Sequence, residues 1–271
     1  MENILQLARQ RRSVRTFNGQ RLSGTDLEKL KACMAEAENP YGIPVGFRLL
    51  DAREQPLKCP VVTGTEQFLG AKIRLVPHAE EAFGYSMEQV VLCAQSLGIG
   101  TVWVGGTMDR AAFEKAMGLT AEERMLCMFP IGYPAEKMAV REIMMRKGVK
   151  ADNRLPFGEV FFDGSFDKAL TPEKAGVLAE VLEAVRLAPS AVNKQPWRVV
   201  VTDTAAHFYK KTSKGFVSHT NGDMQKIDMG IALAHFALAA VEKGLPLRFE
   251  LADPQLPTEA GTLYIATYCF A

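Results

Sequence analysis

The sequence has few of the residues that build metal centres or nucleophilic active sites. Its four histidines show no HExxH pair and its five cysteines show no CxxC spacing, which argues against a structural zinc site. We expect His235, in a helix of small apolar residues, to be a hydrogen-bonded core residue. Most cysteines should be buried free thiols in a reducing compartment: Cys33, Cys59, Cys93, Cys127 and Cys269.

Long apolar runs and an excess of one charge are also missing. The 271 residues are 48% hydrophobic and 23% charged, with a formal net charge of +1, which is ordinary for a globular protein with a sizeable core. The near-neutral balance does not favour nucleic acid or an anionic membrane as a partner. No apolar run approaches the roughly 18 residues of a spanning helix, and the N-terminus has no signal-peptide core. We therefore expect a cytoplasmic protein.

The common signatures of catalysis and dinucleotide binding are absent as well. The segment Gly98–Gly106 contains GxG but not GxGxxG, and it follows a predicted helix rather than a strand, which argues against a Rossmann site. Its glycines could equally be caps and turns. No serine–histidine–acid set or paired carboxylate motif stands out.

What the sequence does contain is a short basic row near its N-terminus: Arg11, Arg12, Ser13 and Arg15. In an extended segment, Arg11, Ser13 and Arg15 point to the same side. Guanidinium groups and a hydroxyl in such a row suit a phosphorylated ligand. A solvated basic surface is the alternative interpretation.

Periodicity and capping signals predict alternating helices and strands. Residues 134–168 are polar, and we predict no element there. Ser23 or Thr25 caps the second helix, and Thr171 with Pro172 begins a later one. The predicted helices span 3–10, 25–38, 86–97, 109–117, 171–187 and 228–243. The predicted strands span 47–50, 73–76, 125–133, 198–202 and 263–270.

The two halves of the chain repeat this order of elements. Phe47–Leu50 corresponds to Trp197–Val200 at an offset of 150 (197 − 47), and the helix before Gly98 corresponds to that before Gly244 at 146 (244 − 98). The repeat suggests duplication of one α+β unit, with halves 1–165 and 166–271, although a coincidence of common element order remains open. Trp197 we interpret mainly as a packing residue that begins a strand.

Each half carries a feature that the other lacks. Only the first has the basic row, and only the second has Ala188–Trp197, which reads A-P-S-A-V-N-K-Q-P-W. We therefore predict that the two features form opposite walls of one cleft between the halves.

Together these motifs resemble the nitroreductase-like flavoproteins, and most closely the branch in which two nitroreductase halves are fused in one chain. That family shows R-x-S-x-K/R near its N-terminus, A-P-S-x-x-N-x-Q-P-W, G-L-G-T-x-W-x-G-G after a buried helix, and a late basic loop. The resemblance implies an α+β, nitroreductase-like fold. Two tandem halves would form a single-chain pseudo-dimer around antiparallel-type sheets with buried central helices.

The resemblance also implies how FMN would be bound. Arg11 and Ser13, in the row that includes Arg12, would hold the phosphate, joined by Arg154, although Arg154 could be an ordinary loop arginine. Arg15 would face the flavin O2/N1 edge and stabilise charge on the reduced ring. From the second half, the residues implied to contact the ring and ribityl chain are Pro189, Ser190, Ala191 and Asn193. From the first half, the backbone of Val104, Gly105 and Gly106 would approach flavin N5.

Because the second half lacks a basic row and the first lacks Pro-Ser-x-x-Asn, we expect one FMN per chain in a monomeric pseudo-dimer. The implied function is ping-pong hydride transfer from NAD(P)H through flavin N5 to a nitroaromatic or quinone, with no catalytic side chain required. Three alternatives stay open: a specialised FMN enzyme with a non-nitro substrate, a flavin-binding protein without significant turnover, and a flavin-free fused scaffold.

Overall fold

The computed structural model describes residues 3–270, which form two five-stranded sheets around a central pair of helices and a separate two-stranded sheet. The elements before residue 150 are α1 (Ile4–Gln10), α2 (Gly24–Glu36), β1 (Gly46–Asp51), β2 (Gln67–Arg74), α3 (Ala79–Ser96), β3 (Gly100–Thr101), α4 (Arg110–Met117), β4 (Glu123–Arg124), β5 (Met128–Gly132) and α5 (Val140–Gly148). Those after it are α6 (Phe157–Val160), β6 (Phe161–Asp163), α7 (Pro172–Ala175), α8 (Ala179–Leu187), β7 (Trp197–Val201), β8 (Ala205–Lys211), β9 (Val217–Ser218), β10 (Gly222–Asp223), α9 (Met224–Glu242), β11 (Leu247–Glu250) and β12 (Thr262–Phe270).

Local sequence signals explain several helix starts. The Ser23 side chain accepts a hydrogen bond from the Asp26 amide at the start of α2, and Thr171 caps α7 with Pro172 in its first turn. Both caps satisfy amide groups that a helix leaves free. The predictions of these two starts are confirmed.

The two sheets have the same strand order. In the first, β1-β2-β5-β3 are neighbours, and in the second β7-β8-β12-β11 follow the same path. All of these pairs are antiparallel. The predicted α+β class with antiparallel sheets is therefore confirmed.

The central helices α3 and α9 cross with their backbones in close contact. A Cβ on Gly84 would lie 2.1 Å from the Ile227 carbonyl oxygen, and one on Gly230 would lie 2.0 Å from that of Glu81. The two glycines and the two carbonyl residues are each 146 positions apart (230 − 84 and 227 − 81). Only glycine permits this approach, and it occurs reciprocally.

Helix α9 is long and apolar enough to cross a membrane, but 78% of its most apolar window is buried inside this fold. One large core cluster joins residues of α3 and α9 to residues of both sheets. The apolar composition of α9 is therefore explained by its central place in that core.

The two halves also exchange elements across the predicted boundary at residue 165. Strand β6 precedes that boundary but pairs in parallel with β7 of the second sheet. Helix α1, at the start of the chain, packs against α8 as well as α3. The halves are therefore joined at their edges as well as through their central helices.

Helix α5 lies in the polar stretch where we predict no element. Its apolar residues Val140 and Met144 are 72% and 67% exposed, whereas Glu142 is only 2% exposed. The usual amphipathic pattern is reversed because Glu142 is bound by polar groups of the basic row.

The expectation that most cysteines are buried free thiols is wrong for one pair. Cys33 of α2 and Cys93 of α3 form a disulfide, with Cα atoms 6.5 Å apart, which is within the range that the bond requires. Cys59 and Cys127 are free and buried, and Cys269 is free and half-buried. The disulfide joins α2 covalently to the central helix pair.

Candidate functional site

A cavity of about 460 Å³ lies between the two halves. Its walls come from the basic row, the end of β3 and the segment beyond α5 on one side, and from the Pro189–Asn193 loop and α9 on the other. The lining residues are Arg11, Ser13, Arg15, Trp103, Gly105, Cys127, Val149, Ala151, Arg154, Pro189, Ser190, Ala191, Val192, Asn193, Gly215, Phe216, Met224, Ile227, Asp228 and Ile231. The structure thus brings the two predicted walls together.

The basic row is extended, as its spacing requires. The Val14 amide donates to the Thr101 carbonyl over 2.9 Å, and Ser13 forms a parallel bridge with Thr101. Val14 is buried against Gly100, where a Cβ would lie 2.8 Å from its side chain. Because side chains alternate along the row, Arg11, Ser13 and Arg15 reach the cavity.

Arg12 lies outside the cavity lining, unlike its neighbours in the row. Its guanidinium is 2.6 Å from Glu142 of α5. Glu142 also accepts from the Arg15 amide at 3.1 Å and from the Thr16 hydroxyl at 2.7 Å. Arg12 therefore fixes α5 over the basic row, which differs from the cofactor contact that the family motif implies.

Three half-buried arginines of the cavity have buried N–H groups without an acceptor among residues 3–270. These groups are Nε and one terminal nitrogen of Arg11, Nε of Arg15 and Nε of Arg154. Unpaired buried donors are costly, and charged donors more so. The arrangement therefore fits an anion with several oxygen atoms, such as a phosphate monoester.

The electrostatics of these arginines point the same way. Burial lowers the pKa of Arg11 and of Arg15; the charge of Glu88 opposes this effect at Arg11 and that of Glu142 at Arg15, and the charge of Arg146 adds a smaller lowering at both. Burial, followed by the charges of Arg11 and Arg186, lowers the pKa of Arg154 to about 10. An anion among these groups would relieve both their desolvation and their mutual repulsion.

Arg154 lies in the cavity wall, where the resemblance implies it. One terminal nitrogen donates to the Ala151 and Asn153 carbonyls at 2.9 Å each, and the other to the Leu187 carbonyl at 3.1 Å. These bonds to backbone carbonyl groups orient the guanidinium. Its Nε is buried and has no acceptor among residues 3–270.

The Pro189–Asn193 loop is held in an unusual conformation by side-chain hydrogen bonds. Val192, Asn193 and Gln195 have positive φ angles of 43°, 59° and 48°, which side-chain-bearing residues seldom adopt. The Ser190 hydroxyl accepts from the Gln195 amide at 2.8 Å, and the Gln195 side chain accepts from the Leu155 amide at 2.9 Å. The polar residues of the motif thus build the loop itself.

Asn193 differs from its implied role at the ring. Its side-chain amide donates to the carbonyls of Lys150, over 2.7 Å, and Asn153, over 3.0 Å. It therefore fastens the second-half loop to the first-half segment that carries Arg154, while still lining the cavity.

Of the implied N5 segment, only Gly105 lines the cavity. Val104 exchanges two backbone hydrogen bonds of 3.0 Å with Met128, so its own backbone groups are occupied. The Gly105 carbonyl accepts from Arg110 and from Asn221 at 2.5 Å each. Val104 and Gly106 lie outside the lining and flank Gly105 in the chain.

A polar network lies behind Trp103, which lines the cavity. His235 Nε2 is 2.9 Å from Glu88 Oε1, and the Trp103 indole donates to Glu88 Oε2 at 3.3 Å. His235 and Glu88 are completely buried. The prediction that His235 is a hydrogen-bonded core residue is confirmed.

Several lining residues were not predicted from the sequence. Trp103 stands inside the Gly98–Gly106 motif, so that motif could have indicated it. Asp228 marks only the start of a predicted helix, and Cys127 and Phe216 carry no local signal. Their place in the cavity follows from the packing of α9 and β5 against the two loops.

The sequence matches a protein-family model described as "Putative TM nitroreductase" over residues 3–240. This chain belongs to that nitroreductase family. The expected family is therefore confirmed over most of the sequence, in agreement with the fold and the cavity.

Two relatives illustrate the extent of the similarity. A "Putative NADH dehydrogenase/NAD(P)H nitroreductase" of Archaeoglobus fulgidus is 27% identical over 154 residues, which are 51% of this chain and 88% of that protein. The crystal structure of a "putative nitroreductase" from Thermotoga maritima aligns with a TM-score of 0.63 and 19% identity, over 99% of this chain and 93% of the other. The second comparison confirms the nitroreductase-like fold over the full length.

Proposed function

We propose that this nitroreductase-family protein is an FMN-dependent oxidoreductase that takes electrons from NAD(P)H and passes them to a nitroaromatic or a quinone. One observation carries the proposal: Arg11, Arg15 and Arg154 line the cavity and have buried N–H groups without an acceptor among residues 3–270. Family membership supports an oxidoreductase, and the similarity to the "Putative NADH dehydrogenase/NAD(P)H nitroreductase" of Archaeoglobus fulgidus supports NAD(P)H as the electron donor.

The residues present fit a flavin mononucleotide. Arg11, Ser13 and Arg154 would hold its phosphate, because they supply charged and neutral donors together. Arg15, the remaining cation, would lie at the ring edge where negative charge collects. Bound FMN supplies the hydride chemistry, and the contribution of these residues is binding, orientation and charge stabilisation.

We infer one FMN per chain from the equivalent region of the other half. There Tyr41 takes the place of Ala191 at an offset of 150, and His78 takes that of Met224 at 146. The Tyr41 ring stacks on His78 with centroids 5.3 Å apart and meets Phe249 at 4.9 Å. We infer that these aromatic side chains fill the region that corresponds to the cavity by the internal repeat.

We further infer that the chain is a duplicated unit that works as a monomeric pseudo-dimer. Both cavity walls come from one polypeptide, so a second copy is not needed to complete the site. The shared strand order of the two sheets supports the duplication.

The proposal is tested by reconstituting the purified protein with FMN, removing unbound flavin and measuring the bound ratio from absorbance. We expect a ratio near one and rapid anaerobic bleaching by NADH or NADPH, followed by reoxidation with a quinone or nitroaromatic. Bound flavin that neither nucleotide bleaches would favour a flavin-binding protein without turnover. Reoxidation by other acceptors alone would favour a specialised enzyme, and absence of flavin uptake would favour a scaffold.

A further inference from the structure

Asp228 carries a buried carboxyl group in the cavity that the proposed function does not use. It lies in the second turn of α9, is 3% exposed and lines the cavity. Its Oδ1 accepts the Ala191 amide at 2.9 Å, whereas its Oδ2 has no partner among residues 3–270. A buried carboxyl oxygen without a hydrogen bond is unfavourable, so Oδ2 is available to a bound molecule.

The internal repeat indicates that helix packing does not require this carboxyl group. The reciprocal contacts of Gly84 and Gly230 fix the correspondence of α3 and α9 at 146 positions. Asp228 then corresponds to Ala82, which is completely buried. The carboxyl group is thus present only in the helix that lines the cavity.

The surroundings of Asp228 favour its protonated form. Burial raises its pKa well above the usual range, the hydrogen bond from the Ala191 amide opposes this effect in part, and the charge of Asp223 makes a smaller contribution that raises the pKa. Asp223 is itself ion-paired with Lys210. On the same helix face, Ile227 and Ile231 are apolar.

The titratable groups that line the cavity with Asp228 from other elements are the Cys127 thiol and the cavity arginines. Burial raises the pKa of Cys127 to about 12, with a further small increase from Asp228 and an opposing effect of Arg110, so this thiol is neutral. Arg11, Arg15 and Arg154 complete the charged lining. A phosphate would compensate Arg11 and Arg154, which leaves Arg15 as the cation beside the ring.

We propose that Asp228 contacts the bound cofactor directly, as a neutral carboxylic acid that donates a hydrogen bond from Oδ2 to an acceptor atom of the flavin ring. This inference rests on the proposed function. Oδ1 meanwhile keeps its bond to the Ala191 amide, so one side chain orients both the loop and the ring. Ionisation would remove the donor and place a negative charge beside an electron-rich ring.

The sign of the pH effect follows from this arrangement. FMN affinity should be highest below the pKa of Asp228 in the protein and should fall as pH rises through it. Asp228→Asn retains a donor and cannot ionise, so its affinity should not show that fall. A carboxylate that only anchored the loop would bind the Ala191 amide at least as well when ionised, and the affinity would not decrease with pH.

The experiment is a fluorescence titration of apoprotein with FMN from about pH 5.5 to pH 9, around the range of raised carboxyl pKa values. We expect the wild-type dissociation constant to rise at least about tenfold relative to that of Asp228→Asn. Ionisation of the FMN phosphate near pH 6 affects both proteins. The ratio of their two dissociation constants therefore reports the effect of Asp228. Cys127→Ala should retain the wild-type pH dependence, and circular dichroism should confirm folding of each variant.

Two failures are distinguishable. The inference alone is overturned if the wild-type protein binds FMN but the ratio of its dissociation constant to that of Asp228→Asn does not change with pH. Wild-type protein that takes up no FMN at any pH overturns the proposed function, and the inference with it. A pH-dependent loss that Asp228→Asn still shows would assign the effect to another group and also overturn the inference.

Discussion

The side-chain amide of Asn193 lies 2.7 Å from the carbonyl oxygen of Lys150. This bond joins the Pro189–Asn193 loop of the second half to the segment that ends in Arg154. A second bond, to the Asn153 carbonyl, strengthens the connection. The cavity wall from one half is therefore held in place by the other.

Asn193→Ala should weaken FMN binding at least about tenfold, because it removes two hydrogen bonds that hold Arg154 and the loop together. Fluorescence titration of the apoprotein measures the effect. Lys194→Ala, at an exposed neighbouring position, is the control and should bind FMN normally. Equal affinities for the two variants would show that the Asn193 contact does not organise the site.

Arg11→Ala should weaken FMN binding by about 2–4 kcal/mol, since it removes a buried charged donor to the phosphate. The same substitution should have a much smaller effect on riboflavin, which has no phosphate. Arg9→Ala removes an exposed arginine two residues away and should leave both affinities unchanged. An equal loss for FMN and riboflavin would contradict the assignment of Arg11 to the phosphate.

Glu142→Gln should lower the free energy of unfolding by about 1.5–3 kcal/mol, because Glu142 accepts three hydrogen bonds in a buried position and pairs with Arg12. Urea denaturation of the apoprotein provides the measurement. Glu136→Gln, at an exposed position, should change stability by less than about 0.5 kcal/mol. Similar values for the two variants would mean that α5 is not fixed by Glu142.

Gly84→Ala and Gly230→Ala should each destabilise the protein by more than about 3 kcal/mol. The added methyl group would meet backbone carbonyl oxygens that cannot move without separating α3 from α9. Gly148→Ala, where a Cβ would meet nothing within 4 Å, should be neutral or slightly stabilising. Thermal denaturation followed by circular dichroism distinguishes these outcomes.

Reduction of the Cys33–Cys93 disulfide should lower the free energy of unfolding by up to about 4 kcal/mol, because it releases a chain segment with a sequence separation of 60. Denaturation with and without reductant measures this difference. Cys269→Ser should keep the same dependence on reductant, whereas Cys33→Ser should abolish it. A reductant-independent wild type would show that the thiols are not paired in solution.

Much of the site could be predicted because its motifs are local. Alternation along the basic row placed Arg11, Ser13 and Arg15 on one side, and the proline-serine-asparagine loop supplied the facing wall. The same alternation places Arg12 on the opposite side, so only the family resemblance included it in the site; its partner, Glu142, lies 130 residues away. Local spacing holds no information on that contact.

The missed elements have physical reasons as well. Helix α5 buries a glutamate and exposes Val140 and Met144, so its apolar periodicity points away from the core. Helix α3 begins at Ala79, seven residues before the predicted start at Ser86. Its first residues are mostly buried and pack against α9. The disulfide depends on how α2 and α3 pack, which cysteine spacing alone does not encode.

The glycine contacts between α3 and α9 have a consequence for ligand exchange. Since these helices meet backbone to backbone, the halves cannot hinge apart without breaking the core. If FMN binds as proposed, its exchange should depend instead on the parts of the cavity wall that side-chain hydrogen bonds hold, such as the Lys150–Arg154 segment. The rate of FMN release should therefore respond to substitutions of Glu142 and Asn193, whose hydrogen bonds hold α5 and the Lys150–Arg154 segment in place. The central helices should keep their contact throughout.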